Sequence, residues 1–502
     1  MSRASLSWTS SGDARTLVAA VLVFAVVTTA GCTVGPNYKR PSAPVAAKWD
    51  VAAPWRESAP KDSIPKGQWW SVFQDDDLNS LEKASLDANQ TIKVSIARLE
   101  QARATAAIQI ATIFPTLGTN PSAERQRLSG NRPTNGALIT LQPVTQNVYV
   151  LPFTVNYEVD LFGRRRRSIE SAAAAYQASA ADLENVRLLI TAQLAGDYFN
   201  LRQLDSELAI LHRTVDALQK GLDLVNSRHQ GGVASGLDVA QEETLLNTTR
   251  TQAILLLQQR KQFEDAIATL VGKPAPDFHL GAKETKVQTP TLDLGLPSDL
   301  LERRPDVAEA ERQMAAANAQ IGVAKAAYYP SLSLYAQGGW QASNIVNLAN
   351  LSSTFWALGA NVAQDIFTGG ARRAQVQFAQ AAYDANVATY RQTVLDAFQE
   401  VQDDITGLTV LTEAERSQQD AVDAARRTLD ISTSRYSGGL VNYLDVVTAQ
   451  QNLLTNEQQL AVIQGQRVVT SVLLVKALGG GWDATSLAAI HLTPRRKDIL
   501  AP

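Results

Sequence analysis

The side chain best suited to covalent chemistry is a lone thiol. Cys32 is the single cysteine among 502 residues, so it cannot close an intramolecular disulfide and needs another use. The four histidines, His212, His229, His279 and His491, lie far apart and lack the close ligand spacing of a structural zinc site. Gly272-Lys273 has no upstream P-loop glycine and runs into Pro274, and the chain carries no G-x-S-x-G, H-E-x-x-H or dinucleotide fingerprint. Asp403 and Asp404 are helical neighbours that do not face each other, which spoils them as an acid–base pair. These observations point away from an enzyme and from any bound cofactor or metal. With 46 basic and 49 acidic residues the formal charge is −3, so nothing global attracts nucleic acid. A hydrophobic content of 45% sets the chain well above disordered compositions.

The surroundings of Cys32 give the thiol a use. Arg3 and Arg15 precede an apolar run from Leu17 to Val27, and small residues from Thr28 to Gly31 follow; this is the layout of a secretory signal peptide over residues 1–31. Thr29-Ala-Gly-Cys32 resembles the bacterial lipobox, which implies that Cys32 carries covalent lipid as the first residue of the mature chain. Thr33, in place of an aspartate, implies the outer membrane. No stretch reaches the ~18 consecutive apolar residues of a spanning helix, so any membrane insertion uses another device.

Two further polar groups sit at equivalent places. Ser235 with Asp238, and Asn442 with Asp445, each place a capping residue three positions before an acid, the grammar of a helix start. They belong to an internal repeat. Arg165 and Arg166, Ala174-Ala-Tyr176, Ser227-Arg228, Gly231-Gly232, Leu237-Asp-Val239 and Gly272 return 207 residues later as Arg372 and Arg373, Ala381-Ala-Tyr383, Ser434-Arg435, Gly438-Gly439, Leu444-Asp-Val446 and Gly479. Two copies of so long a period argue for pseudo-symmetry rather than a solenoid.

Within the first copy, apolar positions from Ile169 to Val225 alternate steps of four and three, interrupted only at Arg187 and Asp197. Such a seam spells one helix of roughly 85 Å at about 1.5 Å per residue. Gly231-Gly232 stops it, and a return helix follows over Leu237–Val271. The second copy repeats the hairpin over Arg372–Tyr436 and Leu444–Leu478, and shorter helices over Leu78–Ile110 and Asp306–Ala327 precede the two copies. Arg303-Arg304-Pro305-Asp306 reads as a helix start, and Arg164-Arg-Arg-Arg167 as a solvated or interfacial basic run.

Elsewhere the period is two. Tyr149, Leu151, Phe153, Val155, Tyr157, Val159 and Leu161 alternate with polar residues, as do Leu332, Leu334, Ala336 and Trp340, and then Trp356, Leu358, Ala360, Val362 and Ile366; a less regular strand follows Pro115. Strands of about ten residues, apolar on one face, suit an outer-membrane barrel, with Trp340 and Trp356 as interfacial anchors. A soluble sandwich fits them too. Four strands per chain cannot close a barrel, so the barrel reading demands oligomers: a dimer gives eight strands and a filled interior, a trimer twelve and a lumen.

Taken in order, these segments resemble the outer-membrane factors of tripartite efflux systems, in the lipoprotein branch that serves resistance-nodulation-division pumps. The resemblance rests on Cys32-Thr-Val-Gly-Pro-Asn-Tyr-Lys-Arg-Pro41, Trp69-Trp70 with Phe73 and Asp77-Leu78, Phe114-Pro-Thr-Leu117, Asp160-Leu-Phe-Gly-Arg164, Leu301-Glu-Arg-Arg-Pro-Asp-Val307, Tyr329-Pro-Ser-Leu332 and Arg435-Tyr436 with Gly439. It implies a mixed α and β fold: a homotrimer whose twelve-stranded outer-membrane β-barrel continues as a periplasmic α-helical barrel with a mixed equatorial girdle. It also implies a periplasmic adaptor protein and an inner-membrane pump as partners, together with outer-membrane lipids. On that reading the chain divides into a signal peptide (1–31), a lipid anchor and girdle segment (32–74), a first repeat (75–272), a girdle linker (273–298), a second repeat (299–479) and a girdle segment or tail (480–502). The resemblance puts the periplasmic aperture at Tyr436, Asn442, Leu444, Asp445 and Thr448, the last where relatives carry an acid. Adaptor docking falls on the tip turns, Arg228, Gly231, Gly232, Arg435, Gly438 and Gly439. The function expected is a passive conduit for small toxic molecules. A structural coiled-coil lipoprotein of the periplasm and a conduit for secreted polypeptides are the alternatives.

Overall fold

The computed structural model describes residues 33–45, 50, 68–131, 142–284 and 303–482. Cys32, the signal segment, most of the 273–298 linker and residues 483–502 lie outside the described residues.

The strands form one antiparallel sheet with four positions. Strand β1 (Thr116–Thr119) and strand β2 (Ser122–Leu128) both pair with β3 (Val144–Val159), which pairs with β4 (Ser331–Ala342), which pairs with β5 (Thr354–Ala363). The irregular strand after Pro115 is thus two segments. Between them stands Pro121, which has no amide to give the ladder. The register places Leu151 opposite Trp340, Val155 opposite Ala336, and Leu334 opposite Ala360, so the apolar residues share one face. Thr154 with Gln337 and Ser333 with Asn361 line the other. The apolar face is bare in the single chain, with Trp356 78% and Leu358 71% exposed.

One inner strand and one edge strand of the sheet each feed a helix of great length. Helix α3 spans Arg164–Gln230 after β3, and α6 spans Ala371–Ser437 after β5, 67 residues apiece. Their return helices, α4 (Gly236–Leu270) and α7 (Tyr443–Ala477), have 35 residues each. At about 1.5 Å per residue these are rods of roughly 100 and 50 Å. Helix α5 (Pro305–Ala326), with Pro305 in its first turn, packs against α3 and α6.

The single helix expected over Leu78–Ile110 is two: α1 (Asp76–Ala88) and α2 (Gln90–Ala111). Asn89 breaks it. Its Oδ1 accepts the amides of Thr91 and Ile92 (2.8 and 3.2 Å) while its Nδ2 donates to Leu270 O (2.9 Å), so the side chain caps α2 and ties the break to the end of α4.

The basic run Arg164–Arg167 is ion-paired at the strand–helix junction, with Arg166 exposed and only Arg167 buried. Arg164 and Arg165 pair with Glu158 at the end of β3 (2.8 and 2.7 Å), and Asp160 accepts the first-turn amides of Arg165 and Arg166 (3.1 and 2.9 Å). Arg167 is buried, reaching Glu170, Asn37 Oδ1 and the carbonyls of Val34 and Gly35. It clamps the N-terminal segment, whose Val34 amide also donates to Phe162 O (3.1 Å). The described chain therefore begins beside the junction of strand and helix. Arg304 likewise exceeds its expected role: buried, it bonds Asp306, Glu400 and Ala477 O, joining α5, α6 and the end of α7.

The main core lies halfway along the rods, where the girdle was expected. A short 3-10 turn, Trp69–Phe73, buries Trp69, Trp70 and Phe73 against Leu194, Tyr198 and Phe199 of α3, with Ile267 of α4 and Val472 of α7 behind. Trp69 meets Trp70 and Phe73 edge-on and donates Nε1 to Thr191 (3.1 Å). Beside it Asp205 binds Arg202 (2.8 Å), Arg260 (2.6 Å) and the Lys283 amide (3.1 Å). Both guanidiniums also donate to the segment that leaves α4, at Gly281 O and Leu280 O (2.8 and 2.7 Å).

Candidate aperture at the hairpin tips

The two hairpins end in turns built alike. Gly232 and Gly439 both take φ +73, a left-handed conformation that any Cβ would strain. Behind them the Val233 amide closes on Arg228 O (2.8 Å) and the Leu440 amide on Arg435 O (2.9 Å). Gly231 and Gly438 are the C-caps before these glycines. At the start of α4, Ser235 and Asp238 form a reciprocal capping box (3.2 and 2.9 Å). At the start of α7, Asn442 Oδ1 accepts the Asp445 amide (3.2 Å), and among the described residues no bond returns to the Asp445 carboxylate. That carboxylate faces water.

Leu444, Asp445 and Thr448 lie together on the exposed face of α7, opposite buried Tyr443, Val446 and Ala449. Leu444 is 49% exposed. Tyr436 does not join them. Its ring packs against Tyr443 (4.9 Å) and under the Arg228 guanidinium (4.8 Å), whose Nη2 also reaches Ser437 O (3.5 Å). Arg228 thus bridges the first hairpin to the second, while Arg435 is exposed at the other turn.

Sequence reasoning missed the groups beneath this bridge. Glu242 of α4 is fully buried, with Tyr443 and Gln450 of α7 facing it and neither carboxylate oxygen in a well-formed hydrogen bond. Burial pushes this carboxyl above the usual range. Room for it comes from Gly221 of α3, where a Cβ would overlap the carboxylate. A glycine inside a helix is costly against alanine by about 1 kcal/mol, and that misfit is the one signal the sequence carried.

Higher on the rods, the seam interruption at Asp197 returns at Asp404, 207 residues later. Burial raises Asp197 to about 6 and Asp404 to about 7; Glu400 and Asp403 add to the latter and Lys476 opposes it. A carboxyl whose folded pKa is raised stabilises the fold most below its unfolded value and loses that contribution as pH rises through the folded one. These two groups are therefore expected to add a downward slope to thermal stability between about pH 4 and about pH 7. The double variant Asp197→Asn/Asp404→Asn is expected to flatten that slope; an unchanged slope in a thermal scan series would refute the assignment.

The chain matches the model of a family described as outer membrane efflux protein over residues 81–273 and 296–480. It is 32% identical to the solvent efflux pump outer membrane protein SrpC of Pseudomonas putida across 92% of this chain and 98% of that protein. It is 32% identical to the pyoverdine export outer membrane protein OpmQ of Pseudomonas aeruginosa across 88% and 94%. Among solved structures, the outer-membrane channel OprN superimposes with a TM-score of 0.82 at 30% identity, covering 90% of this chain and all of that one. The open state of the Neisseria gonorrhoeae channel MtrE gives 0.77 at 26%, covering 90% and 99%.

Proposed function

Because the chain belongs to the outer membrane efflux protein family, we propose that three copies form a passive conduit through which small toxic molecules leave the cell. The protein is an outer-membrane channel of a tripartite efflux system and extends into the periplasm. What supports the trimer is the sheet. Among the described residues its outer positions, β1/β2 and β5, are unpaired edges, and lipid leaves no edge unsatisfied. Four positions per chain closing threefold give twelve strands, wide enough for a lumen. The bare apolar face then meets lipid and the polar face lines the channel.

Energy comes from an inner-membrane pump of the resistance-nodulation-division class, and a periplasmic adaptor bridges to the tips. The exposed turns carrying Arg435, Gly231 and Gly438 offer that adaptor apolar side chains, among them Val233, Leu237 and Leu440. Leu444, Asp445 and Thr448 line the mouth; repeated three times, Asp445 makes an acidic ring that favours cations. Deletion of the gene is expected to raise accumulation of a fluorescent dye, and the restored wild-type copy to lower it. Unchanged accumulation, with the protein present as a heat-modifiable trimer in the membrane, would overturn small-molecule export.

Covalent lipid on Cys32 completes the reading. Its support is the sequence around the single cysteine, with small residues from Thr28 to Gly31 before it and Thr33 after it. Labelled palmitate is expected in the wild type and absent from Cys32→Ser; label retained in the variant would place any lipid elsewhere.

A further inference from the structure

The tip holds a buried acid that the conduit reading leaves without a task. Glu242 has no accessible surface, its oxygens lack well-formed hydrogen bonds, and its space exists because α3 carries glycine at 221. The neighbours come from both hairpins. From α7, the Tyr443 hydroxyl and the Gln450 amide face the carboxyl; from α6, Tyr436 stands behind Tyr443. From α3, Gly221 brings no charge, and Arg228 is engaged with Tyr436. On its own helix, Asp238 lies one turn nearer the tip and bears on Tyr443. No cation in this group compensates the carboxylate.

We propose that Glu242 is the pin of the aperture: closed into the seam between α3, α4 and α7, its carboxyl holds the two hairpin tips of one protomer together, and water reaching that carboxyl releases them. The inference rests on the conduit reading for what the tips gate. The physics is a contest between two states of the seam. In the closed seam an ionised carboxylate has neither solvent nor a cation, so the closed state favours the protonated acid. In the parted seam water solvates the anion and the ordinary carboxylate range returns. Each step upward in pH therefore favours parting, up to about tenfold per pH unit for one group. The Arg228–Tyr436 contact crosses the same seam, so it parts with it, whereas Tyr436–Tyr443 lies within the second hairpin.

The test is hydrogen exchange of the full-length, detergent-extracted protein between about pH 5 and about pH 9, a span that brackets documented buried glutamates. Rates corrected for intrinsic exchange are read from peptides covering residues 218–230 and 436–450. Wild-type protection is expected to fall as pH rises, by up to about tenfold per unit. The nearly isosteric Glu242→Gln variant is expected to keep both tips protected with no slope. Gly221→Ala, which forces the carboxyl from its niche, is expected to lower protection across the range. A Glu242→Gln variant that retains the wild-type slope, or that loses protection throughout, would overturn the pin; so would a Gly221→Ala protein as protected as the wild type. Conductance of the same preparations in planar bilayers is read separately. A wild type that never conducts counts against the conduit, while the exchange profiles still decide what Glu242 does.

Discussion

Replacing Asp205 by alanine is expected to cost about 3–5 kcal/mol of stability, the usual penalty for stranding a buried charge. Asp205 and Arg202 side chains are only 1% and 3% exposed, and Arg260 is 12% exposed. Removing the carboxylate takes the nearest anion from both guanidiniums, leaving Arg202 only the more distant Asp77 (3.7 Å) and Arg260 only Glu264 (3.9 Å) as ion-pair partners among the described residues. It also frees the Lys283 amide, so the segment leaving α4 loses an attachment to α3. The expected signature is an early thermal transition and new proteolytic cuts around residues 278–284. Asp205→Asn keeps the shape but not the charge and should lie between the two. If Asp205→Ala melts with the wild type, the network is ornamental and the core alone holds this waist.

Trp69→Ala is expected to cost a similar amount, about 3–5 kcal/mol, by a different route. The substitution opens a cavity among Trp70, Phe73 and α3 and removes the indole donor to Thr191. Since Trp69 is 2% exposed, little relaxation is available. Trp69→Phe restores part of the volume without the donor, so its recovery in chemical denaturation separates packing from hydrogen bonding. A loss under about 1 kcal/mol for Trp69→Ala would show that the turn rests lightly on the rods.

Much of this architecture was readable from period and punctuation. The step of four and three from Ile169 to Val225 falls inside α3, and the glycine pairs mark both turns because only a positive φ closes them. The capping pairs Ser235/Asp238 and Asn442/Asp445 start the return helices where local chemistry placed them. What escaped was decided by partners distant in the chain. Asn89 interrupts a seam whose apolar spacing continues across it, because its side chain has α4 to hold as well as α2 to cap. Arg167 read as part of a solvated or interfacial basic run and Arg304 as part of a helix start; residues 34–37 and Glu400 supply the acceptors that bury them. At the tips, Tyr436 was expected to line the mouth, but Arg228 from the other hairpin draws it into the seam. Glu242 was invisible for the same reason: no stretch of its own helix announces that the facing residue on α3 is a glycine.

The paired lengths of the helices have a mechanical consequence. Both 67-residue rods leave strand ends of one sheet and stop at turns of the same design, so the two lobes of a protomer finish flush. A flush edge can seat evenly on another ring; a stepped one can touch only at its high points. Seven residues inserted into each arm of one hairpin preserve the seam yet push that lobe out by about 10 Å. The same insertion in all four arms keeps the edge level and only lengthens the tube. Joint alignment, more than absolute length, is what an even seat requires of these rods.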